Sequence, residues 1–319
     1  MHDVASRTDP ATSRLRLAPA EHARLARGFR LRRHVAGWLF MAPLLICLVT
    51  FLVFPVIGTF WWSTQSGSVF AGTKFVGLEN YRRLPGTTGA LDAIFNTTIF
   101  TIASVPLILA GAMGIGLLLS RVSRGGSVYR FLVYLPVLVP GVVAGLMWLF
   151  LSRADDGLFN VALKAVGLPS VNWLGRDTAL GMVVAVDVWR NVGYWAIFFL
   201  AAIIGLPKEL YQAAELDGAN ATTRFFSLTL PLMRRIIFFA VIVATIWALQ
   251  VFDTVLILTG GGPGSATTTI VMRIWSYVFS ASNKAGYASA IAVIFICATL
   301  VLTLLQMWLL RDRRGPNNG

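Results

Sequence analysis

The chain has 319 residues, of which 56% are hydrophobic and 13% are charged, and its mean hydropathy is +0.72. A soluble domain carries about 25% charged residues, so this composition excludes a soluble globular protein and predicts a polytopic membrane protein. The formal net charge of +13 accompanies long apolar runs, so it indicates membrane topology and contact with anionic lipid rather than binding of nucleic acid.

An Arg-rich segment, residues 1–35, precedes the first apolar run. That run is too long for the hydrophobic region of a signal peptide, and no small-residue cleavage site follows it closely. We therefore predict that the run, residues 36–61, stays in the membrane as a signal anchor. Residues 1–35 are predicted to be a mobile basic cytoplasmic tail, and residues 311–319 a second cytoplasmic tail.

Six apolar runs are long enough to cross the hydrocarbon core of a bilayer, which takes about 20 helical residues. These runs are 36–61, 94–120, 129–152, 178–206, 236–258 and 285–310. They predict an all-α integral membrane protein with six transmembrane helices, in which residues 36–310 form the membrane domain. Pro136 and Pro140 predict a kink in the third run.

Lysine and arginine are divided unevenly between the loops. With the N-terminus inside, 18 of the 27 lie in cytoplasmic segments, eight lie in outer segments, and Arg190 lies within the fourth run. Positive residues concentrate on the cytoplasmic side of membrane proteins. The excess predicts that both termini, and the segment between the fourth and fifth runs, are cytoplasmic.

Short polar segments flank the early runs. FVGLENY at residues 75–81 predicts a turn followed by a short amphipathic helix. NTT at residues 96–98 predicts capping and hydrogen bonding between helices, with solute contact as the alternative. The outer loop at residues 153–177 either receives a soluble binding protein or is a solvated connector.

The fourth run places ionisable side chains inside the bilayer, where they are costly and usually face a cavity or each other. Asp187 and Arg190 are three residues apart and therefore share one helix face. They either form a structural ion pair or line a translocation path.

A polar segment at residues 211–231 separates the fourth and fifth runs. Pro207 and an alanine pair predict a short helix, which Gly218 ends because a left-handed turn favours a residue without Cβ. Asn220 is predicted to cap a second short helix, which Pro231 is predicted to end because proline lacks the continuing N–H. The result is a helix–Gly–helix elbow at the membrane surface, suited to docking in a partner's groove.

This elbow resembles the EAA loop of binding-protein-dependent ABC importer permeases, whose motif is Glu-Ala-Ala, three residues, Gly, nine residues, Ile-x-Leu-Pro. QAA at 212–214, Gly218 and LTLP at 228–231 keep that spacing, with glutamine in place of the first Glu and leucine in place of the Ile. The resemblance implies that residues 207–235 couple the chain to a separate ATPase, although no ion pair of the family's Glu carries over. The residues predicted to contact the ATPase are Gln212, Ala213, Ala214, Asp217, Gly218 and Pro231.

Three further segments resemble the sugar-type permeases of this family. FVGLENY at 75–81 resembles their F-x-G-L-x-N-Y, FDTVLILTGGGP at 252–263 resembles F-D-x5-T-x-GGP, and GYASA at 286–290 matches the start of their last span. The resemblance implies a permease subunit of an ATP-driven importer of sugar or glycerol-phosphate. It also implies a place in the bacterial plasma (inner) membrane and transport by alternating access.

By the same resemblance, the partners are a second permease chain in a heterodimer, two copies of a cytoplasmic ATPase, an extracytoplasmic solute-binding protein and membrane lipid. ATP and Mg are expected in the ATPase, because none of the four lysines here is followed by the Ser or Thr of a P-loop. The chain itself is expected to need no cofactor or metal. With every histidine in the N-terminal tail and no catalytic motif, we expect no enzymatic activity.

The candidate solute contacts are Asn191, Tyr194, Gln250 and Asp253. Sugar hydroxyls both donate and accept hydrogen bonds, and sugar C–H faces stack on aromatic rings, so amides, a carboxylate and a ring suit them. Two alternatives stay open. One is an ion-coupled secondary transporter that uses Asp187 or Asp253 as its proton or sodium site, and the other is an ABC permease for a non-sugar solute.

Overall fold

The computed structural model describes residues 36–68, 72–84, 89–279 and 284–310. Both predicted tails lie outside these residues. The described chain is helical apart from one two-stranded hairpin. By length and composition, four helices can cross a membrane, and two bent helix pairs raise this number to six if each pair counts as one span.

The first helix, α1, is Ala36–Ser63. Strands β1 (Gln65–Ser68) and β2 (Gly72–Phe75) then form the antiparallel hairpin. The later helices are α2 (Glu79–Arg83), α3 (Ala90–Ser120), α4 (Gly126–Tyr134), α5 (Gly141–Leu151), α6 (Leu158–Ala165), α7 (Ala179–Ile204), α8 (Lys208–Leu216), α9 (Ala221–Arg224), α10 (Arg234–Leu249), α11 (Asp253–Leu258), α12 (Ile270–Phe279) and α13 (Ala285–Leu310).

Packing divides the chain into two units after Gly58. In the first unit, the described part of α1 leaves its apolar side chains exposed. A helix that is apolar on all sides over such a length is typical of a membrane span. All the features below lie in the second unit, which begins at Thr59.

Helices α3 and α7 form the centre of the core. Phe100, Trp195 and Phe199 are fully buried there. A Cβ on Gly116 of α3 would lie 3.2 Å from the carbonyl oxygen of Ala196 of α7. The two helices therefore approach closely because a small residue lies at their contact, as is common between membrane helices.

The predicted kink in the third run is confirmed, and it is sharper than a kink within one helix. A 3-10 turn at Leu135–Leu138 contains Pro136, and Pro140 directly precedes α5. The helical pair on either side of this break is bent by 91°. The prediction gave 129–152 as one run with a kink, and its two helical parts meet at this angle because two prolines close together interrupt the backbone hydrogen bonds.

The fifth run also differs from its prediction as one span at 236–258. Helix α10 ends at Leu249, and α11 begins only at Asp253. At its other end, α10 meets the helical stretch Ala221–Leu232 at a bend of 70°.

The predicted helix end at Pro231 differs from the observed end by one residue. A π-helical turn at Phe225–Thr229 directly precedes Leu230 and Pro231, and the helical stretch continues to Leu232. Pro231 has no N–H, but the π-helical turn directly before it already departs from the regular hydrogen-bond pattern. The helical stretch therefore continues past Pro231 as far as the bend.

The FVGLENY segment forms the predicted turn and short helix, and it holds the end of α1 in place. The Asn80 side-chain amide donates to the carbonyl oxygens of Ser63 (2.8 Å) and Gln65 (2.7 Å), and the Tyr81 hydroxyl donates to Ser63 Oγ (2.6 Å). A Cβ on Gly286 of α13 would collide with the Gln65 carbonyl oxygen. The first residue of GYASA thus allows α13 to pack directly on the hairpin.

The glycine-rich loop between α11 and α12 is attached to the start of α3. The Asn96 side-chain amide donates to the carbonyl oxygens of Ser265 (2.8 Å) and Thr268 (3.1 Å), and Thr97 Oγ1 accepts from the Ile270 N–H (3.0 Å). The bond between Thr97 and Ile270 of α12 confirms the predicted hydrogen bonding between helices. The predicted capping by the NTT segment is wrong, because α3 already begins at Ala90 and the segment lies inside it.

Candidate coupling elbow and internal cavity

The turn between α8 and α9 is the predicted glycine turn. Gly218 has a φ of +78°, in the left-handed region. The Ala219 N–H donates to the Ala214 carbonyl oxygen (2.9 Å), and the Gly218 N–H donates to the Glu215 carbonyl oxygen (3.1 Å). This pair of bonds is the Schellman arrangement that ends many helices at a glycine. The prediction that Gly218 closes the first elbow helix is confirmed.

The start of the second elbow helix is also as predicted. Asn220 Oδ1 accepts from the Thr223 N–H (2.8 Å) and from the Thr223 hydroxyl (3.0 Å). A side-chain oxygen at this position satisfies a backbone donor that a helix N-terminus otherwise leaves free.

Two side-chain contacts join the two helical parts of the elbow. Arg224 Nη1 lies 2.9 Å from Glu215 Oε1, and the hydroxyls of Tyr211 and Thr229 are 2.9 Å apart. Both contacts join α8 to the helical stretch after the turn. The elbow is therefore a small unit tied by side chains as well as by the chain.

The structure leaves most of the predicted ATPase contacts accessible. Ala214 is half-buried, and the other five are exposed: Gln212, Ala213, Asp217, Gly218 and Pro231. The elbow thus presents backbone and small side chains on its surface, which lets a partner approach closely. Their role in coupling stays a prediction.

A cavity of about 190 Å³ lies beside α7, α10 and the break before α11. Asn191, Gln250 and Asp253 all line it, so three of the four predicted solute contacts come together. Tyr194 does not line it. Its ring packs against Trp195 and Trp247, at 5.2 Å between centroids in each case, and those two tryptophans do line the cavity.

The break in the fifth run is what places Gln250 and Asp253 at this cavity. Thr269 Oγ1 donates to the carbonyl oxygen of Val251 in the break (3.1 Å). A backbone carbonyl that leaves a helix inside a membrane protein needs such a partner, and irregular backbone is tolerated there where it is buried or lines a cavity. Thr269 therefore supports the cavity wall.

The predicted ion pair between Asp187 and Arg190 is wrong, since the described residues show none between these side chains. Asp187 Oδ1 instead accepts from the Asn191 side-chain amide (2.8 Å). A Cβ on Gly141 would collide with the Arg190 guanidinium and lie 3.1 Å from Asp253 Oδ2. Both Asp187 and Arg190 line the cavity, which matches the alternative interpretation of this pair.

Three further residues lie at this site, although the sequence did not predict them as solute contacts: Trp247, Trp195 and Gly141. Trp247 is one helical turn before Gln250, and Trp195 follows Tyr194, so both lie next to residues already selected. Gly141 shows no sequence signal of its own. Together the cavity offers carboxylates, a guanidinium, amides and the indole of Trp247, so it can bind a solute that has hydroxyl groups and an apolar face.

The family comparison decides which class of protein this is. The sequence profile of binding-protein-dependent transport system inner membrane components matches residues 87–315. The chain belongs to this family. The permease is therefore a multi-pass membrane component of an ABC-type importer, the class that the EAA-like elbow indicates.

Similar permeases cover nearly the whole chain. The trehalose/maltose transport system permease protein MalF of Thermococcus litoralis is 36% identical over 280 residues, which are 87% of this chain and 94% of that protein. The sn-glycerol-3-phosphate transport system permease protein UgpA of Agrobacterium fabrum is 31% identical over 285 residues, or 88% and 96% of the two chains.

A solved structure shares the fold. A chain of a bacterial ABC transporter involved in the import of the acidic polysaccharide alginate superposes with a TM-score of 0.80 at 22% identity. The match covers 92% of the permease and all of that chain. A second structure of the bacterial alginate transporter, in complex with a pentasaccharide-bound periplasmic protein, gives a TM-score of 0.79 at 22% identity.

Proposed function

We propose that this permease forms half of the translocation path of an ATP-driven importer for a sugar or a glycerol-phosphate. The observation that carries the proposal is the internal cavity, in which Asn191, Gln250 and Asp253 meet the accessible ring of Trp247. Such a combination of polar groups and a ring face suits a carbohydrate. The names of the similar permeases, which carry trehalose or maltose and sn-glycerol-3-phosphate, favour the same solute class.

The proposed topology has six spans with both termini in the cytoplasm of a bacterium, across its inner membrane. Each bent helix pair then counts as one span. The Lys and Arg excess favours this orientation, because positive loops stay inside.

The proposed assembly contains a second, different permease chain, a dimer of cytoplasmic ATPases that bind ATP and Mg, and an extracytoplasmic binding protein. The exposed elbow supports the ATPase contact, and the solved alginate transporter with its periplasmic protein supports the binding protein. In this assembly the permease itself performs no covalent chemistry.

In the sequence, the elbow lies between two of the helices that line the cavity. Helix α7 carries Asn191 and leads into α8, and α10 leads from the elbow back to Gln250. A displacement of the elbow by the ATPase therefore acts on both walls of the cavity. This connection supports alternating access, in which ATP binding rocks the spans between two states.

The test is uptake into proteoliposomes made from the permease and the subunits that copurify with it in mild detergent. We expect an ATPase, a second permease and a binding protein, and we expect uptake of the binding protein's sugar only with ATP inside. Uptake that needs no ATPase and stops with an uncoupler would contradict the proposal. It would favour the ion-coupled alternative, with Asp187 or Asp253 as the ion site.

A further inference from the structure

A second cavity opens between the elbow and the ends of α3 and α7. This elbow groove has a volume of about 900 Å³. Its wall near the two long helices is apolar and includes Leu117, Ile203 and Leu206, whereas Arg121 and Lys208 lie where those helices have ended. The lining therefore changes from apolar to cationic along the groove.

The positive charge of the groove is only partly neutralised by the protein. Arg224 also lines it, but its guanidinium is paired with Glu215 at 2.9 Å. Arg121 and Lys208 are exposed, and neither has a carboxylate within ion-pairing distance among the described residues. Two cations are thus available beside an apolar wall.

We infer that the elbow groove binds one anionic phospholipid, with its phosphate at Arg121 and Lys208 and an acyl chain along the apolar wall. This inference rests on the proposed cytoplasmic position of the elbow. Helices α3 and α7 are long enough to span, and α3 ends at Ser120 and α7 at Ile204, so the cationic end of the groove lies at the depth of the lipid headgroups. Basic pockets between spans on this side are suited to anionic headgroups.

Other occupants fit the groove less well. The N-terminal tail carries eight arginines in residues 1–35, so the two free cations would repel it. A soluble anion would leave the apolar wall in contact with water. Of the six residues predicted to contact the ATPase, only Gln212 lines the groove, so the ATPase surface and the groove are largely different.

The experiment titrates the full-length permease, purified with its accompanying subunits, with dioleoyl phosphatidylglycerol and counts bound lipid by native mass spectrometry. The double substitution Arg121→Gln with Lys208→Gln removes both free charges and is expected to weaken binding roughly 30-fold. The control is Arg124→Gln, an exposed cation of the same loop that does not line the groove. It is expected to bind like the wild type, and phosphatidylcholine is expected to bind weakly throughout.

A charge-preserving variant, Arg121→Lys with Lys208→Arg, is expected to keep the lipid and so separates loss of charge from misfolding. Equal phosphatidylglycerol affinity in the wild type and the double Gln variant would overturn the site. Displacement of the lipid by inorganic phosphate would also overturn it, because the apolar wall would then contribute nothing. A double Gln variant that lost the ATPase subunit but kept the lipid would assign the groove to the ATPase instead.

Lipid counting needs neither solute nor ATP hydrolysis. A permease that bound phosphatidylglycerol in this charge-dependent way but imported no sugar would therefore overturn the proposed function and leave the lipid site standing. The reverse result, normal sugar uptake without selective lipid binding, would overturn only the lipid site.

Discussion

Gly218 turns the chain between the two elbow helices at a φ of +78°. A Cβ at this position would meet no other atom within 4 Å, so the requirement for glycine comes from the backbone angle and not from space. A β-branched residue in this region costs about 1–3 kcal/mol, which is enough to favour a different turn. The position is therefore sensitive without being buried.

We predict that Gly218→Val inserts normally but separates ATP hydrolysis from uptake, because the displaced turn no longer transmits the ATPase motion. The measurement compares ATPase rate and solute uptake in the same proteoliposomes. Gly114→Val is the control, since Gly114 lies on an exposed helix face with an ordinary φ and free space around it. Normal ratios of uptake to hydrolysis in the Gly218 variant would disprove this role of the turn.

Gln250 and Tyr194 were both predicted to contact the solute, but they differ in their position relative to the cavity. Gln250 lines the cavity, whereas the Tyr194 ring packs against the tryptophans that line it. We predict that Gln250→Ala raises the apparent KM for uptake roughly 3- to 10-fold, the value of one hydrogen bond. Tyr194→Phe removes only a hydroxyl outside the cavity and is expected to leave the KM unchanged. Equal effects of the two substitutions would mean that the solute does not bind here.

At the scale of elements, the glycine-rich loop connects α3 with the break between α10 and α11. Asn96 and Thr97 attach it to α3, and Thr269 attaches it to the break between α10 and α11. The loop cannot be helical because glycine and proline are too frequent in it. Its threonines and the partner asparagine replace the helical hydrogen bonds that this backbone lacks.

We predict that Asn96→Leu destabilises the purified permease, because it removes the donor to the Thr268 carbonyl oxygen, whereas the Ser265 carbonyl oxygen keeps its bond from the Thr268 N–H (3.2 Å). Each unsatisfied buried group costs about 1–3 kcal/mol, so the melting temperature should fall. The control is Thr98→Val, since the exposed Thr98 hydroxyl donates only to Ile94 of its own helix (2.8 Å). Similar melting temperatures for both variants would show that the loop is held by other contacts.

At the scale of the whole molecule, the bends of 91° and 70° decide how many times the chain crosses the membrane. With the N-terminus inside, a first bent pair that spans once places the loop after α5 outside and the elbow inside, whereas without that crossing the two sides are exchanged. Asp217 in the elbow and Asp155 in that loop are both exposed, so labelling can locate them.

We predict that a membrane-impermeant maleimide labels Asp155→Cys from outside the cell and Asp217→Cys only after the membrane is opened. The native Cys47 and Cys297 are free and exposed, and they must first be replaced by alanine. Labelling of Asp217→Cys from outside the intact cell, or of both cysteines from the same side, would rule out the six-span topology.

The sequence alone determined the class of the protein and most of its local structure. Apolar runs, charge bias and the elbow motif depend on composition and spacing, so the long spans α3, α7 and α13 lie within a few residues of their predicted bounds. The Gly218 turn and the Asn220 cap were predictable for the same reason, since their bonds join residues at most five apart.

The tertiary structure alone decided the break before α11, the cavity and the elbow groove. Pairing of Asp187 with Arg190 was possible by helix spacing, but Asn191 is the nearer partner and Asp253 reaches the same cavity from another helix. The break before α11 depends on a hydrogen bond from Thr269, 18 residues away. Such contacts join segments that are far apart in the chain, so no local pattern of residues contains them.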